Sequence, residues 1–465
     1  MSAESKVTKS YLIKWAITLI IPLLIYLIPT NDVFTDQLRL FFVITVLVLE
    51  TFAFEFFPML VPSVLLSVLY IITGLVPAEV ALSPWTNTTV YMVLGAFLLA
   101  NVLEECGLLH RISVFCIRLC GGTYNGALYG LFLTGIVLAF VTFNNHYIIM
   151  VIFTYSVIKA FGYDRPCKEA AIMTMVGCLG AVGTASSVYN PSYVSLAQSG
   201  LELVAGEWPI PWYVQTLTCW PTLLFGFFFI WVMTKIFKTK NFSSNTGKQF
   251  YDEEHKRLGK MSPKERKATI LTVILMAYLF SSPIHGLPIA YGFMIVPFLA
   301  FFPGIRVGTE QAVKKLDMGV IFFIVSCMSI GSVGTALGIS DYISTVMGPM
   351  LEGMSPIAVL TALLGSGTLA NLVMTPFAMC SSLAAPFTQI AIDAGLNPEV
   401  SIMTLIISTD IYFLPHEVTC LLVAMGFGLI KMKDFIKYAT LKSGLYFIWF
   451  LVIQVPYWYL IGYIY

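Results

Sequence analysis

GALYGLFLTGIVLAFVTFNNHYIIMVIFTYSVIKAF, residues Gly126 to Phe161, is apolar except at its centre, where Asn144, Asn145 and His146 stand together. A bilayer core takes about 20 helical residues per crossing. These 36 residues are therefore too many for one crossing and too few for two. The stretch reads as a re-entrant hairpin that enters and leaves by one face, with the polar triplet at its tip. Irregular backbone at that depth is tolerated only where it is buried in protein or lines a cavity, so the tip is where function is expected. A second copy runs from Ser355 to Gly395, with Asn371 near its middle and Thr368 and Thr375 close by. A single intramembrane Asn can simply join two helices; one in each of two matching hairpins asks for more.

Composition agrees. The chain has 465 residues, 58% hydrophobic and 11% charged, the profile of an all-α polytopic membrane protein. A net charge of +1 gives no reason to expect nucleic acid. The nine cysteines are scattered through apolar segments, with no C-x-x-C pair and no metal spacing. They read as small buried hydrophobes. The first apolar run has no cleavage site behind it and is expected to stay as a span.

Outward from the hairpins, about eleven spans are expected. Residues 1–34 hold the first. Repeat 1 covers 35–240 with hairpin 126–161, a cytoplasmic linker covers 241–267, and repeat 2 covers 268–465 with hairpin 355–395. Threaded from a cytoplasmic N-terminus, this order puts 25 of the 26 Lys and Arg residues inside, Lys442 among them, and leaves only Arg39 outside. The positive-inside rule supports that threading. Each repeat then has an odd number of crossings, so the second lies inverted relative to the first. Short echoes agree: GLLHRIS at 107–113 with GISDYIS at 338–344, and GYDRP at 162–166 with GLNP at 395–398.

A span that looks broken follows each hairpin. In GCLGAVGTASSVYNPSYV (177–194), Gly177, Gly180 and Gly183 are expected to loosen the helix. Thr184, Ser186, Ser187 and Asn190 add polar groups, and Pro191 removes a donor. Carbonyls of unwound helices bind Na⁺ and their amides bind anions; the plainer reading is a tight crossing of small residues. In STDIYFLPHEVTCLLVAMGFG (408–428), Asp410, His416 and Glu417 stand at membrane depth beside Pro415. Ionisable groups there are functional hypotheses by default. Apart from Lys159, near the end of the first hairpin, no Lys or Arg falls inside these four elements, so an anionic substrate would need amides, hydroxyls, helix N-termini and bound cations.

Four stretches resemble the divalent anion:sodium symporter family: PWTNTTVYMVLGAFLLANVLEECGLLHRIS (84–113), LGKMSPKERK (258–267), LLVAMGFGLIKMKDFIKYA (421–439) and PYWYLIG (456–462). The resemblance covers nearly the whole chain. It implies a homodimer in which a transport domain, about 125–240 and 351–465, moves as an elevator against a scaffold, about 1–124 and 268–350. That family carries a Ser-Asn-Thr triplet at each tip, where the Asn helps to bind Na⁺ and the triplet contacts substrate carboxylate. Only the Asn is kept here, in Asn144-Asn145-His146 and Ala370-Asn371-Leu372. The turn after the first hairpin is loosely kept as Val188-Tyr189-Asn190-Pro191, and its counterpart is Pro415-His416-Glu417. The departures leave open another substrate, fewer Na⁺ ions or proton coupling.

The expectation is a Na⁺-coupled symporter of a small organic anion, di- or tricarboxylate-like, in a bacterial inner membrane. It needs no cofactor beyond Na⁺ as coupling ion. Na⁺ sites are expected at Asn145, Gly183, Thr184, Asn371 and Thr409. Substrate is expected at Asn144, Asn145, His146, Asn190, Pro191, Asn371, Thr375, Pro415 and Glu417. Proton coupling or anion exchange through Glu417 is the alternative. An intramembrane enzyme using His416 and Glu417 is remote, because no nucleophile or metal set converges with them.

Overall fold

The computed structural model describes residues 9–465 except 55, 121–122, 238–244, 340–341, 343–353 and 373–374. The outer-loop acid Glu352, the start of the linker and part of the second hairpin tip lie outside the described residues. Among the described residues the chain is helical, with no strand. In lipid every backbone polar group must be satisfied within the protein, and an apolar chain does that most simply as helix.

Helices α1 (Lys9–Tyr26), α2 (Asp36–Ala53) and α3 (Leu60–Ile72) come first. Next are α4 (Thr88–Glu105) and α5 (Leu108–Leu119), which meet at a 71° bend where Gly107 holds a φ of 83°. The first hairpin is α6 (Tyr124–Thr142) and α7 (Tyr147–Ala160), followed by α8 (Lys168–Val182) and α9 (Pro191–Ala205). Then α10 (Trp212–Cys219) and α11 (Pro221–Ile236) form a span bent by 43°. The linker holds α12 (Asn245–Leu258). Arg118 on α5 pairs with Asp252 of α12 at 3.0 Å, and Arg111 pairs with Glu265 just beyond it at 2.7 Å.

The second half repeats that order. Helices α13 (Pro263–Phe280), α14 (Ile289–Leu299) and α15 (Met318–Ala336) lead to the second hairpin. Its first arm is α16 (Pro356–Asn371); its second is split into α17 (Pro376–Ser382) and α18 (Ala384–Asp393). After α19 (Pro398–Ser408) comes a break, then α20 (Thr419–Gly426) and α21 (Met432–Trp449), which continues through a π turn to Leu460. The hairpins start alike: Thr123 caps α6 through the Gly126 N–H, and Ser355 caps α16 through the Ala358 N–H.

Among the described residues two helices, Tyr124–Thr142 and Met432–Leu460, are long and apolar enough to cross a membrane, and up to four if each bent pair counts as one span. The sequence suggests about eleven spans. The difference arises because several expected spans are single apolar helices of 10–17 residues, among them Tyr11–Tyr26, Leu60–Ile72, Ile289–Leu299 and Met318–Gly334, and because 169–197 and 399–430 are each two short helices flanking a break. Away from their charged ends, α1, α13 and α21 expose large apolar side chains, among them Leu19, Leu23, Ile270, Val273, Ile448 and, in the continuation of α21, Val452. Buried hydroxyls turn back onto their own helices: Thr134, Thr142, Thr154 and Thr174 each donate to the carbonyl four residues earlier.

Gly177 and Gly180 do not loosen α8, contrary to expectation. The helix is regular through Val182, and these glycines are where neighbouring helices approach. A Cβ on Gly135 of α6 would stand 2.2 Å from the Gly180 carbonyl oxygen, and one on Gly177 would stand 2.2 Å from Thr154 Oγ1 of α7. The second half packs the same pair of elements in the same way: a Cβ on Gly367 of α16 would stand 2.3 Å from Ser408 Oγ of α19. Gly365, two residues earlier, has nothing within 4 Å. Gly135→Ala and Gly367→Val are expected to lower the thermal midpoint of the purified protein, at a cost of about 1–3 kcal/mol for overpacking. Gly365→Ala should raise it slightly or leave it unchanged.

Candidate functional site

The turn of the first hairpin is made by consecutive left-handed residues, Phe143 (φ 53°) and Asn144 (φ 65°). Asn tolerates that region; Phe does so at a cost of about 1–2 kcal/mol. The turn aims the fully buried Asn144 at the break between α8 and α9. Its Nδ2 donates to the carbonyls of Val188 (2.7 Å) and Tyr189 (3.2 Å), and its Oδ1 accepts from Thr184 Oγ1 (3.1 Å). Asn145 is half-buried and takes no part in these bonds. The buried His146 donates from Nε2 to the Gly180 carbonyl at 3.0 Å.

Asn190 caps α9, its Oδ1 accepting from the N–H of Ser192 and Tyr193, with Pro191 at the first helical position. Gln215 of α10 closes the break. Its Nε2 donates to the Ala185 carbonyl (2.7 Å) and its Oε1 accepts from the Asn190 N–H (2.9 Å). Gly183, in the break, is close to the second half: a Cβ there would stand 3.4 Å from Asp410 Oδ2.

The second tip answers the first. Asn371 is buried, and its Nδ2 donates to the carbonyls of Thr409 (3.3 Å) and Ile411 (2.9 Å) in the break after α19. Among the described residues its Oδ1 has no partner. Thr409 turns its hydroxyl back to the Ile406 carbonyl at 2.7 Å. Thr375 caps α17 through the Ala378 N–H. Glu417 Oε1 accepts from the N–H groups of Phe413 (2.8 Å) and Leu414 (2.6 Å), pinning the turn that the buried Pro415 opens. The side chain of His416 lies outside what is described.

One residue is not where its sequence context suggests. Lys442, threaded above with the cytoplasmic lysines, is fully buried on α21. Its Nζ donates to the backbone carbonyl of Asp410 and stands 3.0 Å from Asp410 Oδ1. It also lies 4.2 Å from the Tyr412 ring centroid and 5.0 Å from that of Tyr446. The signal that finds it is helical spacing: Phe435, Tyr438, Ala439, Lys442, Ser443 and Tyr446 form the buried stripe of α21. A lysine on that stripe points inward, whatever charges precede it.

The two breaks meet. Ser186 Oγ lies 3.5 Å from Asp410 Oδ2 and 3.1 Å from the Tyr446 hydroxyl. From Tyr189, at the end of the first break, a cleft of about 620 Å³ runs along Ser195 and Gln198 of α9 to the loops at Pro209–Pro211 and Gly286–Pro288. Its lining contains no charged side chain. Among the described residues no three His, Cys, Asp or Glu side chains are grouped to hold a metal ion. The structure therefore gathers Asn144, Thr184, Gly183 and Asn190 at one break, and Asn371, Thr409, Pro415 and Glu417 at the other. Removing one partner of a buried ion pair costs about 3–5 kcal/mol. Lys442→Met in Na⁺-free buffer is expected to lower the thermal midpoint strongly, and Asp410→Asn/Lys442→Met to recover most of the loss.

A family model described as citrate transporter, CitMHS, matches residues 40–408. No curated protein sequence matches the chain. Among solved structures it is similar to the YdaH transporter of Alcanivorax borkumensis, at 17% identity over 80% of this chain and 85% of that one, with a TM-score of 0.57. It is also similar to MtrF of Neisseria gonorrhoeae, described as illuminating a class of antimetabolite efflux pumps. That match has 13% identity over 91% of this chain and 95% of that one, with a TM-score of 0.60. At these identities the likeness is one of fold.

Proposed function

The chain belongs to the CitMHS citrate transporter family, which makes it a secondary transporter and an integral membrane protein, and on that premise we propose that it carries a citrate-like tricarboxylate inward together with Na⁺. The observation that carries this reading is the uncharged cleft that begins at Tyr189, whose carbonyl belongs to the first break and accepts from Asn144. A polycarboxylate leaving water for such a cleft meets no Lys or Arg on its walls. The one buried ammonium, Lys442, is turned to Asp410. The negative charge must then be balanced by a cation that travels with it, supplemented by the dipole at the N-terminus of α9.

In this reading the tips act through the breaks. Asn144 and Asn371 each fix two backbone carbonyls, and the buried pair Asn144 Oδ1 and Thr184 Oγ1 offers two neutral oxygens of the hard type that Na⁺ prefers. Asn371 Oδ1, without a partner among the described residues, is an acceptor for a substrate hydroxyl. The hairpins with their following spans would move as one body against the scaffold, in a homodimer, with the cleft as the route to the outer face. Glu417, engaged by two N–H groups of its own turn, serves here as a cap.

The test is uptake of radiolabelled citrate by purified protein in liposomes, under an inward Na⁺ gradient or a pH gradient. Accumulation driven by Na⁺, and abolished by Asn144→Ala or Asn371→Ala in protein that remains monodisperse, is the expected outcome. Accumulation driven by pH alone, or undiminished uptake by both variants, would contradict it.

A further inference from the structure

The two breaks are closed at the same step by donors of different charge. In the first half the residue after Thr184 is Ala185, and its carbonyl accepts from Gln215 Nε2, 30 residues on. In the second half the residue after Thr409 is Asp410, and its carbonyl accepts from Lys442 Nζ, 32 residues on. Each donor stands on the second helix after its break, α10 for Gln215 and α21 for Lys442, so the two occupy corresponding places. One is a neutral amide and the other an ammonium.

The surroundings differ accordingly. Around Lys442 Nζ are a backbone carbonyl, the Asp410 carboxylate and the faces of Tyr412 and Tyr446. All of these present negative potential, as a desolvated cation requires. The carbonyls on either side of Asp410 are occupied: Thr409 and Ile411 by Asn371 Nδ2, with Tyr412 beyond them taken by Ser443 Oγ. In the first half no charged side chain of its own closes the break. The oxygens of Asn144 and Thr184 face each other instead, whereas Thr409 is turned back to its own helix.

We infer that the Lys442 ammonium is a tethered cation, standing in the second half where a dissociable coupling ion would otherwise bind. The first half, at Asn144 and Thr184, is then the site that takes up and releases a cation. This deepens the reading given above and rests on it for the identity of the ion as Na⁺.

The test is equilibrium binding of ²²Na⁺ to purified full-length protein. Wild type is expected to saturate at a single Na⁺ per chain. Asn144→Ala should abolish that binding and Asn371→Ala should keep it. Lys442→Gln, which recreates the donor of the first half and leaves Asp410 uncompensated, should gain a second Na⁺. Asp410→Asn/Lys442→Gln should not. Binding of two Na⁺ by wild type with one lost in Asn371→Ala, or no gain in a monodisperse Lys442→Gln, overturns the inference. Should Lys442→Gln fail to fold, the wild-type and asparagine arms decide alone. Should wild type bind no Na⁺, the Na⁺-coupled reading fails separately. Gain of a Na⁺ in Lys442→Gln would then still support the tethered cation, and its absence would overturn it.

Discussion

Unwinding a helix inside a membrane exposes backbone carbonyls and N–H groups where no bulk water can meet them, and each unsatisfied group costs several kcal/mol. This chain unwinds two spans, and the rest of the structure answers that constraint. Asn144 and Asn371, each at a hairpin turn, donate to two carbonyls of the nearby break. Gln215 and Lys442, each on the second helix after its break, donate to a third. The glycine contacts Gly135–Gly180 and Gly367–Ser408 bring each hairpin arm close enough to its span for this to happen. Packing, hydrogen bonding and site geometry are thus one arrangement, used twice.

The two uses are not equivalent. The first break is closed by neutral groups and leaves an amide oxygen and a hydroxyl facing each other. The second is closed by a buried ion pair beneath two tyrosine rings. An isolated ammonium at zero exposure would be costly, and the carboxylate, carbonyl and rings offset that cost together. Asp410 also touches Ser186 of the first break, so the charge of the second half sits at the contact between the two.

Much of this arrangement is legible in the sequence. The polar triplet at 144–146 marks the turn between α6 and α7, and Asn371 closes the first arm of the second hairpin. Gly183 and the Asp410–Pro415 stretch mark the two breaks. Composition and pattern carry that far because breaking an apolar helix needs residues that stand out from it. Which of two adjacent asparagines reaches the break cannot be read from spacing alone; the left-handed turn at Phe143 and Asn144 decides it in favour of Asn144. The roles of Gly177 and Gly180 were misread for a related reason: a glycine that admits a neighbouring helix and one that loosens its own look alike in sequence. Lys442 was hidden by its neighbours Lys431, Lys433 and Lys437, whose charges suit an interface, although its place on the buried stripe of α21 gave it away.

The most direct test of the central claim is a cryo-EM density map of the protein in Na⁺ and citrate, at a resolution that separates carbonyl oxygens. The account predicts ion density beside Asn144 Oδ1 and Thr184 Oγ1, and the Lys442 side chain in continuous density against the Asp410 carbonyl with no ion between them. Lys442 swung out of the core, with a second ion held by Asp410 and Asn371, would contradict it.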